Sequence, residues 1–301
     1  VSPELEFYHA GSGEVPDEIL KKAEIIVGNL APERVGMAQN LQLLQLNSAG
    51  ADGYLEPGIL PPGARLCNAT GAYGLAISEH MLGMLLMLIK KLDLYRENQR
   101  HHQWKDEGSV TSIYGSRTLI VGMGDIGTEF GRKMHALGST VAGVRRHKTA
   151  PPEFAEAVYT MEELDAQLEK ADIVACSLPG TKETYHLFDE KRLRRMKRGA
   201  ILINVGRGSL IRTEALIDAL NSGQLSGACI DVTEQEPLPA DSPLWDAPNL
   251  ILTPHISGYF HLEETRRRIV NIAAENICAL LDGTELRNEV DFQTGYRKFR
   301  G

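Results

Sequence analysis

Nowhere in the 301 residues do two cysteines stand close enough to make a C-x-x-C pair. Cys67, Cys176, Cys229 and Cys278 are scattered, and three of them lie in apolar runs that read as strands or a helix. That pattern suits buried free thiols in a reducing cytoplasm. No His, Cys or carboxylate cluster has metal-ligand spacing, so a metal is not expected. No signal peptide is visible. The most apolar window, 71–89, carries Glu79 and His80 in its middle, which argues against a membrane span. A net charge of -8 argues against a general nucleic-acid surface. The one basic run, 191–198, is interrupted by Leu193 and Met196 at helical spacing and reads as a solvated helix face. No short-period repeat is present.

What remains is an ordinary globular composition, 43% hydrophobic and 24% charged, in a chain long enough for two domains. It is organised around 118–127, Thr-Leu-Ile-Val-Gly-Met-Gly-Asp-Ile-Gly. Thr118 to Val121 reads as a buried parallel strand. Gly122, Gly124 and Gly127 then give G-x-G-x-x-G. A segment with helical spacing (Ile126, Phe130, Met134, Leu137) runs to Gly138, and Thr140 to Val144 reads as the next strand. This is the context the motif needs to bind a dinucleotide: a tight turn, a close approach to pyrophosphate, and close packing of helix on strand. The helix N-terminus offers N–H groups to the anion.

A carboxylate about 20 residues further on would bond the ribose hydroxyl of NAD. That acid is missing. Arg145 stands there, followed by Arg146, His147 and Lys148. An arginine pair grips a phosphate where a carboxylate would repel it, so NADP(H) is expected over NAD(H). A solvated basic turn with NAD bound indifferently is the alternative.

Strands and helices alternate through the rest of the chain, which implies parallel α/β sheets. Leu5 to His9 reads as an interior strand without its neighbour, which suggests a leading strand–helix unit before it. A helix over 16–23 and strands over 25–28, 41–46 and 65–68 follow. Ala72 to Tyr95 reads as one long helix, apolar nearly all round, buried inside the protein or against a partner. After Lys148 come strands over 157–159, 172–178, 200–205, 228–232 and 250–253. Helices over 161–170, 191–196 and 213–222 lie between them, and 262–281 is a last long helix that could return the chain to the first domain.

In open parallel sheets, ligands lie beyond the carboxyl ends of the strands. The residues just past those ends are Leu178-Pro179, Gly206-Arg207-Gly208, Asp231 with Glu236-Pro237, and Thr253-Pro254-His255. One cation, one acid and one imidazole suit hydride transfer to a 2-oxo acid. Arg207 offers a bidentate fork to the carboxylate. His255, with an ordinary pKa of about 6.5, is the general acid for the developing alkoxide. Glu236 holds the other ring nitrogen, and Pro237 biases it to extended backbone. Singly, each has a bland reading: an ion-pair partner, a surface acid, a turn histidine. The other histidines have no comparable context.

Four stretches carry a family resemblance: 122–127 (Gly-Met-Gly-Asp-Ile-Gly), 203–208 (Ile-Asn-Val-Gly-Arg-Gly), 231–238 (Asp-Val-Thr-Glu-Gln-Glu-Pro-Leu) and 253–258 (Thr-Pro-His-Ile-Ser-Gly). They closely resemble the D-isomer-specific 2-hydroxyacid dehydrogenases. The match extends to 47–52 (Asn-Ser-Ala-Gly-Ala-Asp) and to the tail 288–291 (Asn-Glu-Val-Asp). The resemblance implies two Rossmann-like or flavodoxin-like parallel-sheet domains with the active site in the cleft. The substrate-binding domain would comprise 1–69 and 262–301, and the dinucleotide-binding domain 70–261. It implies Arg207 as carboxylate binder, His255 as acid/base and Glu236 as its partner. Backbone N–H groups of Ala49 and Gly50 would help hold the substrate. Asp125 and Ile126 would lie along the pyrophosphate, and Asp231 would bind the nicotinamide amide. Val205, Leu178 and the adjoining Pro179 would line the cofactor, with Arg207 and His255 bordering it. A homodimer through the cofactor domain is implied, which would account for the apolar helix.

Arg145 in place of the usual Asp looks like the NADP-preferring glyoxylate and hydroxypyruvate reductase branch. Glu236 argues against the formate dehydrogenase branch, whose histidine resembles one paired with Gln. The chain also ends shortly after its tail motif, unlike long phosphoglycerate dehydrogenases with a regulatory domain. Two rivals stay open: a nucleotide-sensing corepressor that keeps the triad without turnover, and phosphite oxidation, which uses the same three residues. The substrate side chain is unspecified; Tyr54, Tyr73 and Tyr259 are pocket candidates by position only.

Overall fold

A computed structural model of the chain describes residues 5–11, 13–295 and 298. The chain divides into two compact units, Val1–Tyr73 with Phe260–Gly301, and Gly74–Tyr259.

The first unit is built on a three-stranded parallel sheet in the order β1 (Ile25–Val27), β2 (Leu43–Gln45), β3 (Arg65–Cys67). The short helices α1 (Asp17–Lys22) and α2 (Pro32–Val35) precede β1 and β2 respectively. All three β2 residues are buried, as the middle strand requires, while Val27 on the edge strand is half exposed. Leu20, Val35, Leu44, Leu46 and Leu66 form its core. The expected strand at Leu5 to His9 is not there: the segment has no regular structure, and its residues from Glu6 onward are exposed. Its apolar residues imitate a strand, but the described residues give it no ladder partner, and a strand is stable only when paired. The leading unit inferred from it concerns residues outside the chain.

The second unit is a seven-stranded parallel sheet. Its strands are β4 (Arg117–Val121), β5 (Thr140–Arg145), β6 (Ala155–Thr160), β7 (Ile173–Cys176), β8 (Ala200–Asn204), β9 (Leu225–Ile230) and β10 (Leu250–Leu252). The spatial order is β10-β9-β8-β7-β4-β5-β6. The chain therefore leaves β4 to one side for β5 and β6, then returns to the other side for β7. That reversal between β4 and β7 is a topological switch point, and every carboxyl end lies on one edge. β7 and β8 are buried at every position, as strands covered on both faces must be.

The single long helix expected over 72–95 is two helices, α3 (Gly74–Ile89) and α4 (Leu92–Arg100). Lys91 takes a left-handed backbone, φ 54°. The Lys90 ammonium donates to the Thr111 carbonyl at 2.7 Å, and Lys91 donates to that of Glu107. The Thr111 N–H meets the last α3 carbonyl, that of Ile89, at 3.3 Å. The later segment thus caps α3 and turns the two lysines off its axis, a break that hydrophobic spacing does not register. Beyond β6, the helix expected over 161–170 is a 3-10 turn at Met161–Glu163 followed by α6 (Leu164–Leu168). Thr160 and Glu163 form a capping box there. The remaining helices are α5 (Asp125–Ala136), α7 (Glu190–Arg195), α8 (Thr213–Asn221) and α9 (Glu263–Leu281), the last in the first unit.

Acids answer the basic run around α7: Arg192 meets Asp165 at 2.9 Å, Arg195 meets Glu169 at 3.4 Å and Lys197 meets Asp172 at 2.5 Å. Cys67, Cys176 and Cys229 are buried, and Cys278 is exposed on α9. Burial pushes the Cys176 and Cys229 thiols well above their ordinary range. Among the described residues no helix is long and apolar enough to cross a membrane.

Candidate functional site

The glycine turn follows β4. Gly122 has φ 97°, a left-handed conformation that a side chain would strain. Its carbonyl accepts from the Ser177 hydroxyl at 2.8 Å, which pins the turn to the exit of β7. Gly124 caps α5 and borders open space, so a ligand can reach its backbone. At Gly127 a Cβ would overlap the Gly122 carbonyl and sit 2.6 Å from Ile120 Cγ2, so only glycine lets α5 approach β4 this closely. The cradle fits a pyrophosphate on a helix N-terminus. Ile126 is half-buried in the first turn of α5. The Asp125 carboxylate beside it accepts from the Gly74 N–H at 3.0 Å and so ties α5 to the start of α3.

At the end of β5 the Arg145 Nε donates to the Met123 carbonyl inside the glycine turn at 2.5 Å, and its Nη1 lies 3.3 Å from the Thr149 hydroxyl. The guanidinium is thereby fixed beside the turn, with Arg146 exposed next to it.

Leu178 and Pro179 leave β7 half-buried, and Leu178 Cδ2 would be 3.0 Å from a Cβ on Gly122. After β8, Val205 is buried. Arg207 then stands in extended backbone between two glycines, Gly206 and Gly208. The structure gives the reason for both. A Cβ on Gly206 would overlap the Leu178 carbonyl, and one on Gly208 would overlap the Thr233 carbonyl. The neighbouring loops close on both sides of Arg207. Asn204 accepts from the Gly206 N–H at 3.1 Å and donates to the Arg207 carbonyl at 2.9 Å, and Arg207 Nη1 donates to the Gly206 carbonyl at 2.8 Å.

His255 follows β10. Its Nδ1 lies 2.7 Å from Glu236 Oε2. The other Glu236 oxygen accepts from the Thr233 N–H at 3.0 Å, so the carboxylate is oriented by its own loop. The peptide bond between Glu236 and Pro237 is cis. His255 has φ 53°, unusual for a non-glycine residue. Asp231, 1% exposed, holds the backbone there. Its Oδ1 accepts from the Thr253 hydroxyl at 2.5 Å and the Ile256 N–H at 3.0 Å. Its Oδ2 accepts from the Ser257 N–H at 3.0 Å and the Ser257 hydroxyl at 2.5 Å. The Asp231 carbonyl takes the His255 N–H at 2.7 Å. Asp231 is thus engaged first with the loop that carries His255.

Three groups escaped the sequence reading. His80 Nε2 is 3.0 Å from the Thr253 hydroxyl. His186 Nε2 is 2.6 Å from Glu234 Oε1, and Glu234 Oε2 accepts from the Thr213 N–H at 2.6 Å. Burial pushes the Glu234 carboxyl up, but the bonds from Thr213 and His186 outweigh it and hold the group below its usual range. Glu234 so anchors the loop that ends in Glu236. A polar residue on an otherwise apolar helix was the available signal for His80; for Glu234 and His186 spacing gave none.

In the first unit, Ala49 and Gly50 lie in the loop after β2. The Asn29 side-chain oxygen Oδ1 accepts from the N–H groups of Asn47 and Ser48 at 2.9 and 3.3 Å. Asn68 donates to the Ala49 carbonyl at 2.9 Å, the Ser48 hydroxyl donates to that of Gly50 at 2.7 Å, and the Tyr73 hydroxyl donates to that of Asn47. Tyr73 is therefore a buried prop of this loop and not a pocket wall. Tyr54 is likewise a core residue, donating to the Leu30 carbonyl at 2.8 Å. Tyr259 is exposed.

Comparison with known proteins gives a consistent picture. Residues 82–257 match the family model described as D-isomer specific 2-hydroxyacid dehydrogenase, NAD binding domain. The chain is 33% identical over 264 residues to a glyoxylate reductase of Thermofilum pendens, covering 86% of this chain and 77% of that one. Its fold superposes with TM-score 0.83 on a D-isomer specific 2-hydroxyacid dehydrogenase family protein from Aeromonas salmonicida, at 36% identity, covering 92% and 87% of the two chains. A second structure, an NADPH-dependent glyoxylate/hydroxypyruvate reductase from Sinorhizobium meliloti in complex with NADP and sulfate, gives TM-score 0.79 at 29% identity, covering 91% and 86%.

Proposed function

The chain belongs to the D-isomer specific 2-hydroxyacid dehydrogenase family, which are oxidoreductases, and from that premise we propose that it reduces a small 2-oxo acid such as glyoxylate or hydroxypyruvate, with NADP(H) preferred and NAD(H) accepted. The observation that carries the reading is the 2.7 Å contact of His255 Nδ1 with a Glu236 carboxylate whose other oxygen is itself held. Glu236 fixes the hydrogen on Nδ1 and orients the ring, leaving Nε2 to face the substrate oxygen as the proton donor. Arg207 grips the substrate carboxylate through its guanidinium. The N–H groups of Ala49 and Gly50 are assigned to the same carboxylate. The nicotinamide cofactor supplies the hydride.

Gly122, Gly124, Asp125, Ile126 and Gly127 are assigned to its pyrophosphate, and Val205, Leu178 and Pro179 to the walls beside it. Arg145 and Arg146 take its 2′-phosphate; Arg145, already fixed on the turn, loses little freedom on binding. Asp231 is assigned first to holding the His255 loop and second to the nicotinamide amide. Domain roles follow: the unit with the glycine turn binds the dinucleotide, and the other unit binds substrate. Location in the cytoplasm and a homodimer complete the proposal. The thiols of Cys67, Cys176 and Cys229 support the first, and the exposed Met87, Leu92, Leu94 and Trp104 on and beyond α3 support the second.

Replacing Arg207 tests the assignment. In Arg207→Ala, KM for the 2-oxo acid rises and kcat/KM falls sharply, while NADPH binding followed by fluorescence survives. Unchanged kinetics would remove Arg207 from the site.

A further inference from the structure

α3 lays His80, Met84 and Leu88, spaced four apart on one face, toward β9 and β10. Leu88 Cδ2 lies where a Cβ on Gly227 of β9 would be 2.8 Å away, and Met84 Sδ is 3.7 Å from the Thr253 hydroxyl at the exit of β10. His80 is the one polar side chain in this row, and its Nε2 meets the same hydroxyl at 3.0 Å. The two side chains are 173 residues apart in sequence.

The hydrogen bookkeeping is decisive. A threonine hydroxyl has one hydrogen to give. Asp231 Oδ1, 2.5 Å away, is a charged acceptor with no hydrogen of its own, so the hydroxyl donates there. The contact with His80 is then a bond only if Nε2 carries hydrogen and donates. With Nε2 bare, its lone pair would face the Thr253 oxygen, repel it and push the hydroxyl off Oδ1, leaving that oxygen with only the Ile256 N–H. The Asp231 carboxylate, buried and touching four donors of 253–257, would lose one of its bonds.

The geometry points to His80 as a positioning residue for His255, acting through Thr253 and Asp231. Its N–H holds the Thr253 hydroxyl on Asp231, and Asp231 holds the backbone on which His255 adopts its left-handed conformation. Losing the outer donor loosens the loop and lets the imidazole drift from the angle at which it hands over its proton. The inference rests on the reading of His255 as proton donor.

The test compares His80→Leu, which removes the donor, with His80→Gln, whose amide N–H reaches the same oxygen. His80→Leu lowers kcat about tenfold, because small misplacements of a reacting group are costly, and leaves KM for NADPH unchanged. His80→Gln recovers most of the loss. Thr253→Val costs about as much as His80→Leu, and the double variant costs no more than either, since both break one relay. An unchanged kcat in His80→Leu overturns the inference, and so do losses that add in the double variant. A second measurement stands apart from turnover. In protein labelled with 13C in its histidines, the His255 ring signal, identified by its absence in His255→Ala, moves in His80→Leu and stays in His80→Gln. An unmoved signal in His80→Leu overturns the relay. If the native enzyme reduces no 2-oxo acid, the functional reading fails while this signal still judges the relay.

Discussion

In the first unit the loop after β2 is held by neutral groups. Asn29 takes two backbone N–H groups, and Asn68 and Tyr73 each supply one donor to its carbonyls. In the second unit the loop after β10 is held by a charge: the buried Asp231 takes four donors from 253–257. Hydrogen bonds to an ionised acceptor are roughly twice as strong as neutral ones. The stronger clamp is used where the backbone is harder to hold, because His255 at φ 53° carries a cost of about 1–3 kcal/mol. A loop that presents N–H groups to a carboxylate needs only shape. A loop that presents a proton donor needs an angle.

Breaking the second loop should therefore hurt more than breaking the first. The largest loss is expected from His255→Ala, which lowers kcat/KM about 10²- to 10⁴-fold in steady-state kinetics. Retained activity would show that the proton comes from elsewhere. Asp231→Asn removes the charge and offers an amide nitrogen where donors converge. We expect kcat to fall roughly tenfold to a hundredfold through misplacement of His255, and an undiminished kcat would refute the clamp. In Tyr73→Phe the neutral loop loses one bond, worth about 1 kcal/mol, so KM for the 2-oxo acid rises only a few-fold while kcat holds. A kcat loss equal to that of Asp231→Asn would erase the distinction between the loops.

Tyr73 adds a finer test. Burial pushes its phenol from 10.0 up to about 12. The folded chain therefore keeps the proton after the unfolded chain has lost it. Its contribution to stability is complete below pH 10 and is lost as pH rises from 10 toward 12. Thermal melts across that range should show a steeper alkaline decline for the native protein than for Tyr73→Phe; parallel declines would show that Tyr73 does not contribute.

The glycine turn, the strand ends and the pair of Glu236 with His255 were legible because each lies in a short contiguous stretch with its own spacing. Arg207 was legible as a cation, but its two glycines were not, since the carbonyls that exclude a side chain belong to Leu178 and Thr233. Asp231 read as a ligand group; its engagement with Thr253, Ile256 and Ser257 needs two loops to meet, which no local pattern encodes. The break at Lys90 and Lys91 was invisible for the same reason: the carbonyls that receive those ammonium groups come from Glu107 and Thr111. Leu5 to His9 failed in the opposite sense, a local strand pattern with no ladder partner among the described residues.

The most direct measurement is the rate of nicotinamide oxidation by the native protein with a panel of 2-oxo acids. The account predicts turnover of glyoxylate or hydroxypyruvate, with kcat/KM higher for NADPH than for NADH. Binding of NADPH with no turnover of any 2-oxo acid would contradict it and leave a nucleotide-binding protein.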